Sequence, residues 1–350
     1  MKICFVINGL ETEGPKTSVY LMTKAHKRGH EVFVASVGDF SFSSSAPLAL
    51  HCVTIPKGAD PKNAEEFLEA LKSEDARKMR LSAKELDVIF LRNNPTEEDA
   101  GRKWAEQAGI AFGRMMQRED VLVLNDAFAM SHAFIDKLYF EELPEEIKPA
   151  SIITRSLDEV MEFYEKHNRQ IVLKPLEGSG GQDVYLIDEN EKNINQITTA
   201  LKQQGYIIAQ EFLPAVKDGD VRVLLMNGQV LMEDGKHAVV RRKGSEGEFR
   251  SNLALGGSAD YSEFTDAMKR IIELTSPKLI KDGLFLVGLD VVDDKLIEIN
   301  VLSPGGLEVM ESVGLPDFTN SIIESIEKKV EYKKMSDGQI TNKELATMVF

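Results

Sequence analysis

The chain has 350 residues, of which 57 are acidic and 42 basic, for a formal net charge of −15. Such a field repels polyanions and anionic membrane surfaces, so neither nucleic acid nor a membrane is an expected partner. With 43% apolar and 28% charged residues the composition is that of an ordinary globular protein, long enough for two or three lobes.

Cys4 and Cys52 are the only cysteines and have no CxxC spacing, which suggests neither a disulfide framework nor a zinc site. The first apolar run is five residues, too short for a signal-peptide core, and no segment is long and apolar enough to span a membrane. The expected location is cytoplasmic.

Residues 1–147 read as a small parallel α/β lobe. "KICFVI" (Lys2 to Ile7), "EVFVASV" (Glu31 to Val37), "LDVIFLR" (Leu86 to Arg92) and "VLVLN" (Val121 to Asn125) are short apolar runs of the kind that strands covered on both faces require. Helical spacing from Thr17 to Arg28 stops at Gly29, a C-terminal cap. Residues 57–85 are charged and predict a solvent-facing excursion with helical stretches and no strand.

A second unit is expected over 148–213. "SIITR" predicts a strand, and Ser156 to Glu159 a capping box opening a helix to about His167. "QIVLKPL" and "DVYLID" predict two strands around a glycine-rich turn, followed by a helix near Asn193 to Gln204 and the strand "YIIAQEFL". A third unit, 214–331, predicts antiparallel pairs: Asn227-Gly228 joins "DVRVLLM" to "QVLME", and Asp293-Asp294 joins "LFLVGLDVV" to "KLIEINV". Residues 332–350 read as a polar tail without a motif.

Several stretches carry candidate chemistry. "GLETEGPKT", Gly9 to Thr17, comes one residue short of a phosphate-binding loop, but Pro15 removes an N–H, and Glu11 and Glu13 repel phosphate. In "LKPLEGSGG" the glycines precede a strand and not a helix, so the stretch is either a plain hairpin turn or a lid that lays N–H donors over a triphosphate, with Lys174 as the charge beneath.

Asp290 sits in an apolar strand, and Glu298 and Asn300 stand on one face of the next. Asp290 joins that face if an odd-length turn or a bulge pairs it with Glu298. Two such carboxylates need a cation, either magnesium held by oxygen ligands or an arginine. Arg222, Arg241, Arg242, Lys243 and Arg250 cluster in an otherwise acidic chain, and Arg250 and Asn252, two apart, can face one cleft. The six histidines have no metal-ligand spacing, and no GxSxG elbow is present.

Lys174 with its glycine loop, "FLPAVKDGDVRVL" (212 to 224), "FRSNLALGG" and "LVGLDVVDDKLIEINVLSP" (286 to 304), in that order, resemble the ATP-grasp ligases and among them the bacterial-type glutathione synthetases. That family carries "VLKPLEGSGG" as "ILKPLDGxGG", and "LRNNP" at Arg92 resembles its "RKDPP". The resemblance is strong from about 150 to 330 and looser before.

It implies an ATP-grasp fold, mixed α/β and α+β, with an N-terminal parallel α/β lobe, a central lid subdomain and a C-terminal antiparallel-sheet subdomain. It also implies an ATP-dependent ligase that makes an acyl phosphate and then a peptide bond, with ATP as co-substrate, magnesium (or manganese) as cofactor, γ-glutamylcysteine and glycine as substrates, and a homo-oligomeric assembly. By the same resemblance Lys137, Lys174, Gly178, Ser179, Gly180, Gly181 and Glu211 bind ATP, and Asp290, Glu298 and Asn300 hold the metal. Arg222 and Arg242 are catalytic, and Arg92, Arg250 and Asn252 bind substrate or close over it. Asn93-Asn94 and "VLSPGGLEV" depart from the family's "RKDPP" and "VTSPT", leaving open another peptide or amino-acid ligase, such as a glutamate-adding one. A nucleotide-binding regulator without catalysis is the rival from another class.

Overall fold

The computed structural model describes residues 1–95, 98, 100–178, 181–245, 256–336 and 338–350. The first lobe holds strands β1 (Lys2–Ile7), β2 (Glu31–Ser36), β3 (Phe40–Ser43), β4 (Ala46–Thr54), β5 (Arg77–Ser82), β6 (Val88–Leu91) and β7 (Leu122–Leu124). Its helices are α1 (Thr17–Lys27), α2 (Ala64–Lys72), α3 (Ala108–Arg118), α4 (Ala127–His132) and α5 (Asp136–Glu141). The sheet runs β3-β4-β2-β1-β6-β7, with β5 also on β4. The four predicted strands form its parallel half. Helix α1 ends in a Schellman motif: Gly29 takes φ +84° and donates to His26 O, while His30 N–H donates to Ala25 O.

Two expectations for this lobe are corrected. The sheet is mixed, because β3, β4 and β5 run antiparallel to their neighbours. Residues 57–85 are not a strandless excursion: β5 pairs with β4 over six residues and α2 buries Phe67, Leu68 and Leu71. The sequence hides β5 because "RKMRLS" exposes its first four residues. An edge strand guarded by basic side chains has no apolar alternation to read.

The second unit is a four-stranded antiparallel sheet, ordered β10 (Tyr185–Ile187), β9 (Ile171–Pro175), β11 (Ile207–Glu211) and β8 (Ser151–Thr154). Helices α6 (Leu157–Lys166) and α7 (Ile194–Gln204) cover it. Only half of the expected capping box forms: Ser156 Oγ accepts from Glu159 N–H, while the Glu159 carboxylate takes the Thr154 hydroxyl.

The third sheet runs β17 (Ser258–Tyr261), β16 (Val239–Lys243), β12 (Asp220–Met226), β18 (Leu286–Val292), β19 (Lys295–Asn300), with β13 (Gln229–Val230) on β12. A small ribbon of β14 (Met232–Glu233) and β15 (Lys236–His237) stands apart, and α8 (Asp266–Asp282) precedes β18. Asn227 and Gly228 take φ +55° and +74°, the turn a two-residue hairpin needs.

The first and third sheets share their cores. One cluster joins Val6 and Val123 to Val221 and Leu289, and another joins Phe5 and Phe90 to Leu224 and Phe285. The second unit has a core of its own around Val160, Phe163, Ile171, Leu173 and Ile207.

The segment read as a motifless tail is built into the body. Helix α9 (Leu307–Ser312) is followed by α10, which runs from Thr319 to Met335, and by α11 (Asn342–Thr347), which buries Leu345 and Ala346. The Asn342 carboxamide accepts from Val123 N–H (2.8 Å) and donates to Val123 O (2.9 Å), closing the edge of β7. Lys329 on α10 is fully buried between Phe285 and Phe350 and donates to Met348 O at 2.5 Å.

Burial pushes the Lys329 ammonium down to about 7 from 10.5. Folding therefore expels its proton between those values, so this side chain adds most to stability above pH 10.5 and loses that contribution as pH falls to 7. Lys329→Met is expected to stabilise the fold at pH 7 by about 1–3 kcal/mol. It should also flatten the rise of stability from pH 7 upward; urea unfolding at pH 7 and 9.5 reads both.

Candidate active site

Strands β16, β12, β18 and β19 lie side by side, and their register assembles the charges. Asp220 pairs with Arg242, Arg222 with Asp290, and Asp290 with Glu298. The last pairing rests on a bulge. The Asp293-Asp294 turn sets Val291 opposite Leu296, the ladder then shifts, and Ile297 is the extra residue. Asp290 thus joins the face of Glu298 and Asn300. Gly288 makes room for Arg222, since a Cβ there would stand 3.3 Å from Arg222 Cδ.

Arginines flank Asp290 in the site. Arg222 Nε and Nη2 donate to the two Asp290 oxygens at 2.5 and 2.8 Å. Arg242 grips Asp220 with Nε and Nη2 (2.9 and 2.6 Å), and its Nη2 also lies 3.0 Å from Asp290 Oδ2. Two guanidiniums and two carboxylates cancel, which is how charges with Asp290 at 1%, Asp220 at 6% and Arg222 at 8% exposure are tolerated. Burial alone raises the Asp290 carboxyl, but Arg222 and Arg242 overcome it and hold it well below the usual range. Asp220 is pushed up to about 6 by burial and by Asp290, against the pull of Arg242.

The predicted metal trio fits a divalent cation shared with phosphate. Asn300 Nδ2 donates to Asp290 Oδ2 at 3.3 Å, which leaves its carbonyl oxygen as a ligand, and Glu298 is half-buried beside them. The donors are oxygens only, the preference of magnesium. Among the described residues no three acidic, His or Cys side chains form a ready cage. Two carboxylates and an amide suit an ion that takes its remaining ligands from water and nucleotide.

Glu298 also lines a narrow recess between the second and third sheets, with Lys137, Lys174, Glu141, Ser151 and Gln210. Lys137 Nζ donates to Pro175 O (2.9 Å) and Gly178 O (3.0 Å), pinning the start of the glycine loop. Gly178 and Gly181 take φ +135° and +73°, open to glycine but not to other residues without strain. Ser179, Gly180, Arg250 and Asn252 lie outside the described residues.

The Glu211 carboxylate accepts from Ala150 N–H at 3.2 Å, and the neighbouring polar side chain of β11, Gln210 at 6% exposure, lines the recess beside Ile208. Alternation along the strand would have favoured Gln210 once Ile208 was placed inward. Asp220 and Glu141 were also passed over, the latter accepting from Lys148 (2.9 Å) and Ser151 (2.8 Å).

Arg92 lies outside this recess, at the seam of the first and third units. Its Nε donates to Ser18 Oγ (3.2 Å) and its Nη2 to Pro304 O (2.7 Å), while Nη1 is buried without a partner among the described residues. Burial lowers its guanidinium to about 10 against the pull of Glu13 and Glu308. Asn93 is 1% exposed and packs on Gly109, where a Cβ would come within 2.5 Å of its Oδ1.

Solved structures share this fold. The RiPP-associated ATP-grasp ligase of Chryseobacterium gregarium superposes with a TM-score of 0.60 at 14% identity, covering 94% of this chain and 97% of that one. At that identity the likeness establishes the fold, and the chain is of the ATP-grasp class. Residues 1–130 match the prokaryotic glutathione synthetase N-terminal domain and residues 136–314 the ATP-grasp domain of the same family. Glutathione synthetase of Vibrio parahaemolyticus serotype O3:K6 is 30% identical over 320 residues, 90% of this chain and 93% of its own. That of Gloeobacter violaceus is 30% identical over 348 residues, 95% and 98% of the two chains.

The chain therefore belongs to the prokaryotic glutathione synthetase family. It is an ATP-dependent ligase that forms a peptide bond.

Proposed function

We propose that this chain joins γ-glutamylcysteine to glycine, with conversion of ATP to ADP and phosphate, and that the residues predicted from sequence carry the reaction. The single observation that supports this most is the register of β12, β18 and β19, which sets Arg222, Asp290 and Glu298 in a row beside the recess lined by Lys137 and Lys174.

Lys137, Lys174 and the backbone at Gly178 and Gly181 bind and orient the triphosphate. Asp290, Glu298 and Asn300 would hold magnesium, which supplies charge neutralisation to the phosphates. The dipeptide carboxylate attacks the γ-phosphorus, ADP leaves, and an acyl phosphate results. The glycine amine then attacks the acyl carbon, the C–N bond forms as phosphate departs, and the amine gives up a proton. Arg222 and Arg242 stabilise the negative charge that gathers on the transferring phosphoryl group and on the tetrahedral oxygen. The Nη1 of Arg92, unpartnered among the described residues, is the donor left for a substrate carboxylate.

ADP release measured with γ-glutamylcysteine and glycine, and with other dipeptides and amines, tests the substrates. Turnover without γ-glutamylcysteine would favour a related peptide ligase, a reading prompted by buried Asn93 and the Gly305-Gly306 turn. Glu298→Gln is expected to weaken the apparent magnesium affinity at least about tenfold. An unchanged magnesium titration of the rate would leave the trio a structural feature.

A further inference from the structure

Thr17 closes the stretch "GLETEGPKT", which fails as a phosphate loop, yet its hydroxyl makes three hydrogen bonds across the seam of the first and third units. It is 2% exposed, donates to Glu308 Oε2 at 2.6 Å, and accepts from Gly306 N–H at 2.9 Å and Leu307 N–H at 3.1 Å. Those two N–H groups begin helix α9. Gly306 is its N-cap, at φ +126°, and glycine has no side chain with which to cap. Thr17 supplies the missing cap from 289 residues away.

The same turn is held on its other side. Gly305 O accepts from Arg222 Nη1 at 3.0 Å and Pro304 O from Arg92 Nη2 at 2.7 Å. Four backbone groups on four consecutive residues are thus fixed by three side chains. Two of these, Thr17 and Arg92, come from the first lobe, and the third is Arg222 of the charged centre.

We propose that Thr17 is a positioning residue for Arg222, acting through the Pro304 to Leu307 turn and so tying the first lobe to the phosphoryl-transfer centre. This rests on the reading of Arg222 as the group that stabilises the transferring phosphoryl. With the Thr17 hydroxyl gone, the N–H groups of Gly306 and Leu307 lose their acceptor, and the turn is free to carry the Gly305 carbonyl away from Arg222 Nη1. That nitrogen then loses one of the contacts that aim it, and displacements of about 1 Å at such a group cost on the order of a hundredfold in rate.

The test is ADP release with whichever acceptor the wild-type chain uses best, for Thr17→Val and Thr17→Ser, each alone and combined with Arg222→Met. Thr17→Val is expected to lower kcat about ten- to a hundredfold with KM for ATP within about twofold, and Thr17→Ser to recover most of the rate. In the Arg222→Met background Thr17→Val should cost nothing more, because its effect passes through Arg222.

A wild-type kcat in Thr17→Val, a change confined to KM, or the same further loss in both backgrounds overturns the proposal. If Thr17→Val is recovered unfolded, Thr17→Cys, which keeps the volume with a weaker acceptor, is expected to show a smaller loss of the same kind, and none would overturn it. Turnover with acceptors other than glycine and dipeptides other than γ-glutamylcysteine discards the substrate reading and leaves this one standing. A wild-type chain that releases no ADP with any acceptor discards both.

Discussion

Arg222→Met is expected to lower kcat by on the order of a hundredfold or more while ATP binds with nearly wild-type affinity. The guanidinium is anchored by Asp290 on one edge and by the Gly305 carbonyl on another, so it is pre-aimed before substrate arrives. Methionine keeps the length and the apolar packing of the stem and removes only the charge and its donors. The variant leaves Asp290 and Asp220 to share Arg242, which should cost about 3–5 kcal/mol of stability, so urea denaturation accompanies the kinetics; Asp290 keeps Arg242 at 3.0 Å and the Asn300 amide at 3.3 Å. Steady-state ADP release gives kcat, and calorimetric titration with a non-hydrolysable ATP analogue gives the affinity. A wild-type kcat would remove Arg222 from the mechanism.

Asp290→Asn is expected to do damage of two kinds. Arg222 and Arg242 would share only Asp220, leaving one buried positive charge without compensation and costing about 3–5 kcal/mol of stability. The cation would lose one of its two carboxylates, and turnover at any magnesium concentration should fall by on the order of a hundredfold or more.

The pH sign is definite. The folded carboxyl lies below the ordinary 3.8, so the contribution of Asp290 is whole above that value and is lost only as pH falls through the folded one. Asp290 itself therefore adds no slope above pH 5, and the stability difference between wild type and variant should hold steady from about pH 7.5 to 8.5, above the Asp220 carboxyl that Asp290 helps raise to about 6. Urea denaturation at both ends of that range measures it, and a variant as stable as wild type would mean that the arginines do not depend on Asp290.

Asp220 and Lys329 illustrate why part of this molecule was unreadable. "KDGDVRVL" shows an aspartate two residues before Arg222, and nothing in the stretch says that its partner is Arg242 on the neighbouring strand. Lys329 falls among the charges of "ESIEKKVEYKK", where a solvated face is the ordinary reading, yet it is wholly buried under the last residues of the chain. Both depend on which surface packs over a residue, and helical or strand periodicity does not carry that information.

By itself the sequence determined what is settled within a few residues. The Asn227-Gly228 hairpin, the Gly29 helix stop and the common face of Glu298 and Asn300 follow from backbone geometry and alternation over short distances. The ordered blocks from Lys174 to Asn300 determined the family. Tertiary structure decided the rest. It decided that Asp290 meets arginines, that Ile297 bulges to align Asp290 with Glu298, that a charged edge strand completes the first sheet, and that Thr17 caps a helix begun 289 residues later. The reason is physical. Propensity and turn chemistry act between chain neighbours, whereas charge compensation and capping in trans are satisfied by whatever the packed sheets bring within about 3 Å.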